Sequence, residues 1–201
     1  MTLTAAFAAL VILFIACATG GRPANGFDAA VAAQAAATRA ASPFLLQASL
    51  FITNAGGAPI TLGLATVGAL VLASRRETAR VVILLVTVVA TRLAVEGLKL
   101  FFGRVRPAFD TQLVQVHSLS FPSAHSANSL TTYVLLACFL ASGRFRPAAV
   151  TIAFAIAFTV GFTRILLGVH WLSDVIGGWA AGLFAVLLAF ACDRRLGAQE
   201  Q

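Results

Sequence analysis

The residues of this 201-residue chain that could do chemistry fall in three short stretches. Lys99 is followed by six residues and then Arg106-Pro107. Further on comes Pro122-Ser123-Ala124-His125, and last Arg164, five residues, His170, three residues and Asp174. If a helix begins at or just before His170, a residue four places on stacks on the same face. Asp174 can then accept the imidazole Nδ1–H, leaving Nε2 as a base or nucleophile and stabilising the charge it acquires. Pro122 suits a first helical turn, which places Ser123 and His125 at a helix amino end, where free N–H groups favour an anion. Three cations, two histidines and a helix amino end together suit phosphoryl transfer, which is mostly positioning and charge stabilisation. Each stretch has a blander reading: a snorkelling lysine, a serine cap with a chance histidine, a membrane-edge His and Asp capping a helix. Of seven acidic residues only Asp174 is expected among these groups, and no His/Cys/Asp cluster has ligand spacing, so no metal site is expected.

The elements that must position these groups are apolar. The chain is 60% hydrophobic and 10% charged, far below the quarter charged that is usual in soluble domains. It reads as an all-α integral membrane protein in one domain, residues 1–201. Its apolar runs are Leu3–Thr19, Ala58–Ala73, Val81–Phe102, Ala124–Ala141, Ala148–Leu167 and Leu172–Cys192. At 1.5 Å per residue about twenty residues span the hydrocarbon, so six transmembrane helices are expected. The net charge of +7 does not point to nucleic acid, because its placement follows the membrane. Arg75, Arg76 and Arg80, then Arg144 and Arg146, then Arg194 and Arg195 fall on one side. By the positive-inside rule both termini are cytoplasmic. Lys99, Arg104 and Arg106 break that rule by sitting on the outer side, and an anionic ligand is the obvious reason.

Several features lie outside this core reading. Ala16-Cys17-Ala18 loosely resembles a cleavage site, but no basic n-region precedes it, so an uncleaved first helix is expected. Residues 20–57 read as a breaker-rich outer loop holding one short helix, Asp28 to Ala41, either a cap over the bundle or a lip for a lipid. Arg92 and Glu96 share a helix face with Lys99, as a buried pair or as a brace behind it. His117 reads as a solvated or lip residue, Arg104 as less direct than Arg106, and Trp171 as an interfacial anchor. Cys17, Cys138 and Cys192 read as unpaired.

The three stretches, in this order and at these internal spacings, resemble the signature of the type 2 phosphatidic acid phosphatase family over about residues 43–192. Ala124 stands where the family usually has Gly, and Thr163 where it usually has Ser. Neither change removes a proposed catalytic group. The resemblance implies that His170 attacks phosphorus to give a phosphohistidine and that His125 first protonates the departing lipid oxygen and then activates water. Lys99, Arg106, Ser123, Ala124 through its N–H, and Arg164 would hold the phosphate. It implies a cofactor-free lipid phosphatase whose partners are a lipid phosphate or diphosphate and the surrounding membrane lipids. An outward-facing site in an inner membrane favours undecaprenyl diphosphate, with phosphatidic acid, phosphatidylglycerol phosphate and lipid A as alternatives. A non-catalytic lipid-binding or transport protein on the same scaffold, and a vanadate-dependent haloperoxidase, are the readings from other classes.

Overall fold

A computed structural model describes residues 3–20, 26–107 and 118–199. His117 therefore lies outside the described residues. All regular structure among the described residues is helical: α1 (Leu3–Gly20), α2 (Gly26–Ala41), α3 (Pro43–Ile52), α4 (Ala58–Ser74), α5 (Thr78–Phe102), α6 (Ala124–Leu140), α7 (Arg146–Leu166) and α8 (Leu172–Gln199), with short 3-10 turns at Thr53–Gly56 and Gly143–Phe145. The six apolar runs correspond to α1 and α4 to α8, with ends close to those anticipated except that α8 continues past Cys192 to Gln199. The region read as a loop with one helix differs, because α3 follows α2. Ser42 caps α3 by accepting from the Leu45 N–H, and Pro43 opens it; this is a complete start signal that the surrounding breakers obscure.

Among the described residues, three segments are long and apolar enough to cross a membrane: Thr78–Phe102, Gly143–Leu166 and Leu172–Leu196. Pro43–Gly56 and Ala58–Ser74, bent by 45° at their junction, meet the test as a pair. The α6 helix is shorter and more polar because it is central. It packs against α4, α5, α7 and α8, and its Ser126, Asn128, Ser129, Thr131 and Thr132 are buried by protein. Its lower half joins the main apolar core, where Leu130, Val134 and Leu135 meet Leu72, Leu84, Val88, Ala157 and Val186.

The charges divide between the two ends of the bundle. At one end Arg75 donates to the Leu140 carbonyl (3.2 Å) and Arg80 pairs with Asp193 (3.1 Å) and Glu77 (2.6 Å). That end gathers the α4–α5 turn, the end of α6 and the end of α8. At the other end lie the three chemistry-bearing stretches.

What fixes the height of α6 against α8 is a pair of glycines four residues apart. A Cβ at Gly178 would stand 2.5 Å from the Ser123 carbonyl oxygen and 2.8 Å from Ser126 Cβ; one at Gly182 would stand 2.7 Å from the Ala127 oxygen. Small residues at this spacing let two helix backbones touch. Gly178→Ala should therefore destabilise the protein by about 1–3 kcal/mol through overpacking, while Gly63→Ala, whose Cβ meets nothing within 4 Å, should not. Thermal unfolding of the two variants in detergent checks this; equal midpoints would contradict the close approach.

Candidate active site

The α5 helix ends at Gly103, which adopts φ 61°, a conformation glycine accepts without strain. The chain then runs without regular structure to Pro107. Along it Arg104, 7% exposed, and Arg106 turn inward while Val105, 75% exposed, turns out. Arg106 donates from Nη1 to the Val169 carbonyl (2.5 Å), from Nε to the Ser118 carbonyl (2.6 Å), and from Nη2 to Ser118 Oγ (3.0 Å) and the Leu119 carbonyl (3.1 Å). It so ties the segment after residue 117 to the α7–α8 connection.

The same Nη1 lies 3.0 Å from His170 Nε2. A guanidinium can only donate, so Nε2 must present its lone pair and Nδ1 must carry the proton. Nδ1 faces Asp174 Oδ2 at 3.4 Å. The anticipated orienting carboxylate is therefore present, although α8 begins at Leu172 and His170 precedes the helix instead of stacking on its face. His170 is buried, and burial pushes its imidazole down to about 3; it is neutral at physiological pH. Burial likewise lowers Arg106 from the usual arginine value.

Asp174 is wholly buried and fully engaged. It accepts from Arg104 Nη1 (2.5 Å), Ser120 Oγ (2.5 Å) and the Trp171 N–H (2.9 Å). Its own carbonyl accepts from the Ser123 N–H at 3.0 Å, joining the start of α8 to the start of α6. Ser123 is the residue before the first turn of α6, and its side chain does not cap the helix. Its hydroxyl instead accepts from Ser126 Oγ at 3.1 Å. With no side-chain cap, the first-turn N–H groups at Ala124 and His125 are open to a ligand.

Lys99, 4% exposed on α5, donates to Glu96 Oε1 at 2.8 Å and approaches Ser118 Oγ at 3.4 Å. Of the two anticipated roles for Glu96, the brace is the one observed; Arg92 donates instead to Thr61 Oγ1 at 2.9 Å. Arg164, near the end of α7, donates from Nη1 to Thr53 Oγ1 at 2.7 Å, and its buried Nε has no partner. Such a donor has a desolvation penalty that an oxyanion would relieve. The 3-10 turn at Thr53–Gly56 serves two site residues, since Gly56 also lies against His125: a Cβ there would be 3.1 Å from the ring Cδ2. Tyr133 on α6 anchors the turn by donating to the Ala55 carbonyl at 2.9 Å. His125 is within electrostatic reach of Arg164, His170, Lys99 and Arg106.

All eight anticipated site residues thus gather at one end of the bundle. One expectation is corrected: Asp174 is not the only carboxylate among them, because Glu96 holds Lys99 and Asp28 reaches Arg104 at 3.6 Å. Arg104, expected to act less directly than Arg106, is the partner of Asp174. Trp171 donates from its indole to the Val105 carbonyl at 3.0 Å, closing the segment after Gly103 over the site. The three cysteines are free. Arg104, Ser118, Ser120, Thr53 and Asp28 are missed by motif spacing; the alternation around Val105 was the one local signal that could have found Arg104.

A family model described as PAP2 superfamily matches residues 80–198. The chain is 31% identical over 192 residues to a Bacillus subtilis protein named Phosphatidylglycerophosphatase B, covering 93% of each chain. It is 36% identical over 120 residues to a Rhizobium johnstonii protein named Lipid A 1-phosphatase, covering 55% of this chain and 47% of that one. The crystal structure of a transmembrane PAP2-type phosphatidylglycerolphosphate phosphatase from Bacillus subtilis superimposes with a TM-score of 0.86 at 30% identity, over 94% of this chain and 96% of that one.

Proposed function

Since the chain belongs to the PAP2 superfamily, the type 2 phosphatidic acid phosphatases, and is a membrane lipid phosphatase, we propose that it cleaves a lipid phosphate through a phosphohistidine on His170, without a metal. The observation that carries this reading is the posture of His170, with Arg106 Nη1 3.0 Å from Nε2 and Asp174 Oδ2 3.4 Å from Nδ1. The nucleophilic lone pair is exposed on the side of the cations, and the carboxylate stands behind the proton.

The phosphate lies among Lys99, Arg106, Arg164, Ser123 and the Ala124 N–H. Arg106 Nη1 turns from Nε2 to a phosphate oxygen as the substrate arrives, and Arg164 Nε gains the partner it lacks. Nε2 then attacks phosphorus and the bond from phosphorus to the lipid oxygen breaks. His125 gives its proton to that oxygen, while Asp174 balances the charge on the His170 imidazolium. Water next loses a proton to His125 and attacks phosphorus; the phosphorus–Nε2 bond breaks and inorganic phosphate leaves. Preorganised donors of this kind lower the barrier because they need no rearrangement as charge develops.

The membrane reading is six spans with both termini cytoplasmic, in an inner membrane, the site facing the periplasm or exterior. Its support is the gathering of Arg75 and Arg80 at the end opposite the site. For the substrate, the relative that matches nearly end to end favours a phosphatidylglycerol phosphate. Undecaprenyl diphosphate is the second reading, because Lys99, Arg106 and Arg164 suit the greater charge of a diphosphate.

Two measurements on detergent-purified protein test this. Phosphate release should persist in EDTA, and the ratio of kcat/KM for phosphatidylglycerol phosphate and undecaprenyl diphosphate selects the substrate; complete loss that magnesium restores overturns the metal-free mechanism. The dependence on pH should be bell-shaped, because the reaction needs the two histidines in opposite protonation states. Burial favours neutral His170, so the acid limb lies below the 6.5 or so of free histidine, and the alkaline limb follows loss of the His125 proton. A flat profile between about pH 5 and 9 contradicts the acid–base assignment.

A further inference from the structure

The α2 helix straps the loop that carries His170. At its end Arg39 donates to the Leu166 carbonyl at 2.6 Å, where α7 finishes. Near its start Asp28, 1% exposed, accepts from the Ser173 N–H at 2.9 Å and from the Ser173 hydroxyl, where α8 begins. The carboxylate also stands 3.6 Å from Arg104 Nη2. Arg104 is 7% exposed, lies over the Phe121 ring at 5.4 Å, donates to Ser173 Oγ at 2.9 Å, and is 2.5 Å from Asp174. One buried guanidinium is therefore shared by two buried carboxylates on different helices.

The charges in this cluster determine what Asp174 can do for His170. With Arg104 alone, its positive charge would offset that of Asp174 and weaken the negative field at His170 Nδ1. A second carboxylate on the far side of the guanidinium leaves the trio with a net negative charge, which Arg106 and Arg164 oppose near the imidazole. Charges taken out of water interact strongly over a few ångströms. We propose that Asp28 is a positioning residue for phosphoryl transfer: by taking up Arg104, it keeps the Asp174 carboxylate available to the imidazolium that forms when His170 is phosphorylated. This inference rests on the phosphohistidine reading above. It assigns the cap helix a part in catalysis beyond covering the site.

A role in stabilising developing charge and a role in anchoring α2 predict different kinetics. Asp28→Asn keeps an oxygen that can accept from the Ser173 N–H but removes the charge. Its kcat should fall about 10- to 100-fold, as for other outer partners of a working histidine, with KM changed little. Arg39→Ala loosens the other end of the strap without touching the charges, and its kcat should stay within about 3-fold. In Asp28→Asn/Arg104→Gln the loss should be no greater than in Arg104→Gln alone, because Asp28 acts through Arg104. Asp28→Glu, which keeps the charge and decides the point if the amide variant does not fold, should retain kcat within about 5-fold. Phosphate release from phosphatidylglycerol phosphate in EDTA, with His170→Ala as blank, reads all of these. Wild-type kcat in Asp28→Asn, an additive double variant, or an Asp28→Glu kcat as low as that of Asp28→Asn overturns this inference alone. No release by the wild-type protein above the blank overturns the phosphatase reading with it.

Discussion

Replacing His170 by Ala is expected to reduce phosphate release from any lipid substrate by about 10⁴-fold or more, the scale seen when a covalent nucleophile is removed. The expectation is large because no neighbouring group can take its place. Asp174 is wholly buried and held by Arg104, Ser120 and the Trp171 N–H. Ser123 is also buried and engaged with Ser126. The Arg106 and Lys99 groups are cationic donors. The fold should persist, since the ring's hydrogen bonds among the described residues go to Arg106, Ser120 and Asp174, each of which keeps other partners. Phosphate assays paired with thermal unfolding check both halves; a folded variant retaining a tenth of wild-type activity would mean that water attacks the lipid phosphate directly.

The His125→Ala variant should lose about 10²- to 10⁴-fold on lipid phosphates, the usual range for general acid–base groups, but in a way that depends on the leaving group. A lipid alkoxide must be protonated as it departs, whereas the phenolate of an aryl phosphate leaves without a proton. With an aryl phosphate the first step should therefore be largely restored. The second step still needs His125 to take a proton from water, so the phosphorylated enzyme should accumulate. Stopped-flow traces should show a burst of about one phenolate per protein followed by slow turnover. An equal loss on both substrate types, with no burst, would contradict the double role. The location of His125 in the first turn of α6, against Gly56 and without a hydrogen-bond partner among the described residues, leaves its ring free for this alternation.

How far these roles could be read from the sequence differs by residue. His125, His170 and Arg164 were legible because each lies at the end of a long apolar run, and helix ends are where irregular backbone and ligands meet. The six runs themselves were legible for the same reason, with boundaries close to those of α1 and α4 to α8 apart from the end of α8. Arg104 and Arg106 were hard to rank because spacing alone does not tell which of two arginines in a loop turns inward. The segment after Gly103 turns both inward, and each meets a different member of the His170–Asp174 pair. Asp28 could not have been found, since its contacts with Ser173 join residues 145 apart in the chain. Thr53 and Gly56 were hidden by a similar separation: nothing local shows that a 3-10 turn before α4 will hold Arg164 and pack against His125. The glycines at 178 and 182 carry a recognisable spacing, but only the packing of α8 on α6 gives it a meaning.

The covalent step is tested most directly by trapping. Protein in EDTA is mixed briefly with a substrate labelled at its terminal phosphate, quenched in alkali and separated from free phosphate. Label is expected on the wild-type protein, released by acid as for a phosphohistidine. More label is expected on His125→Ala when the substrate is an aryl phosphate, and none on His170→Ala. Label that survives in His170→Ala, or its absence from a wild-type enzyme turning over in EDTA, would contradict the assignment of His170 as the nucleophile.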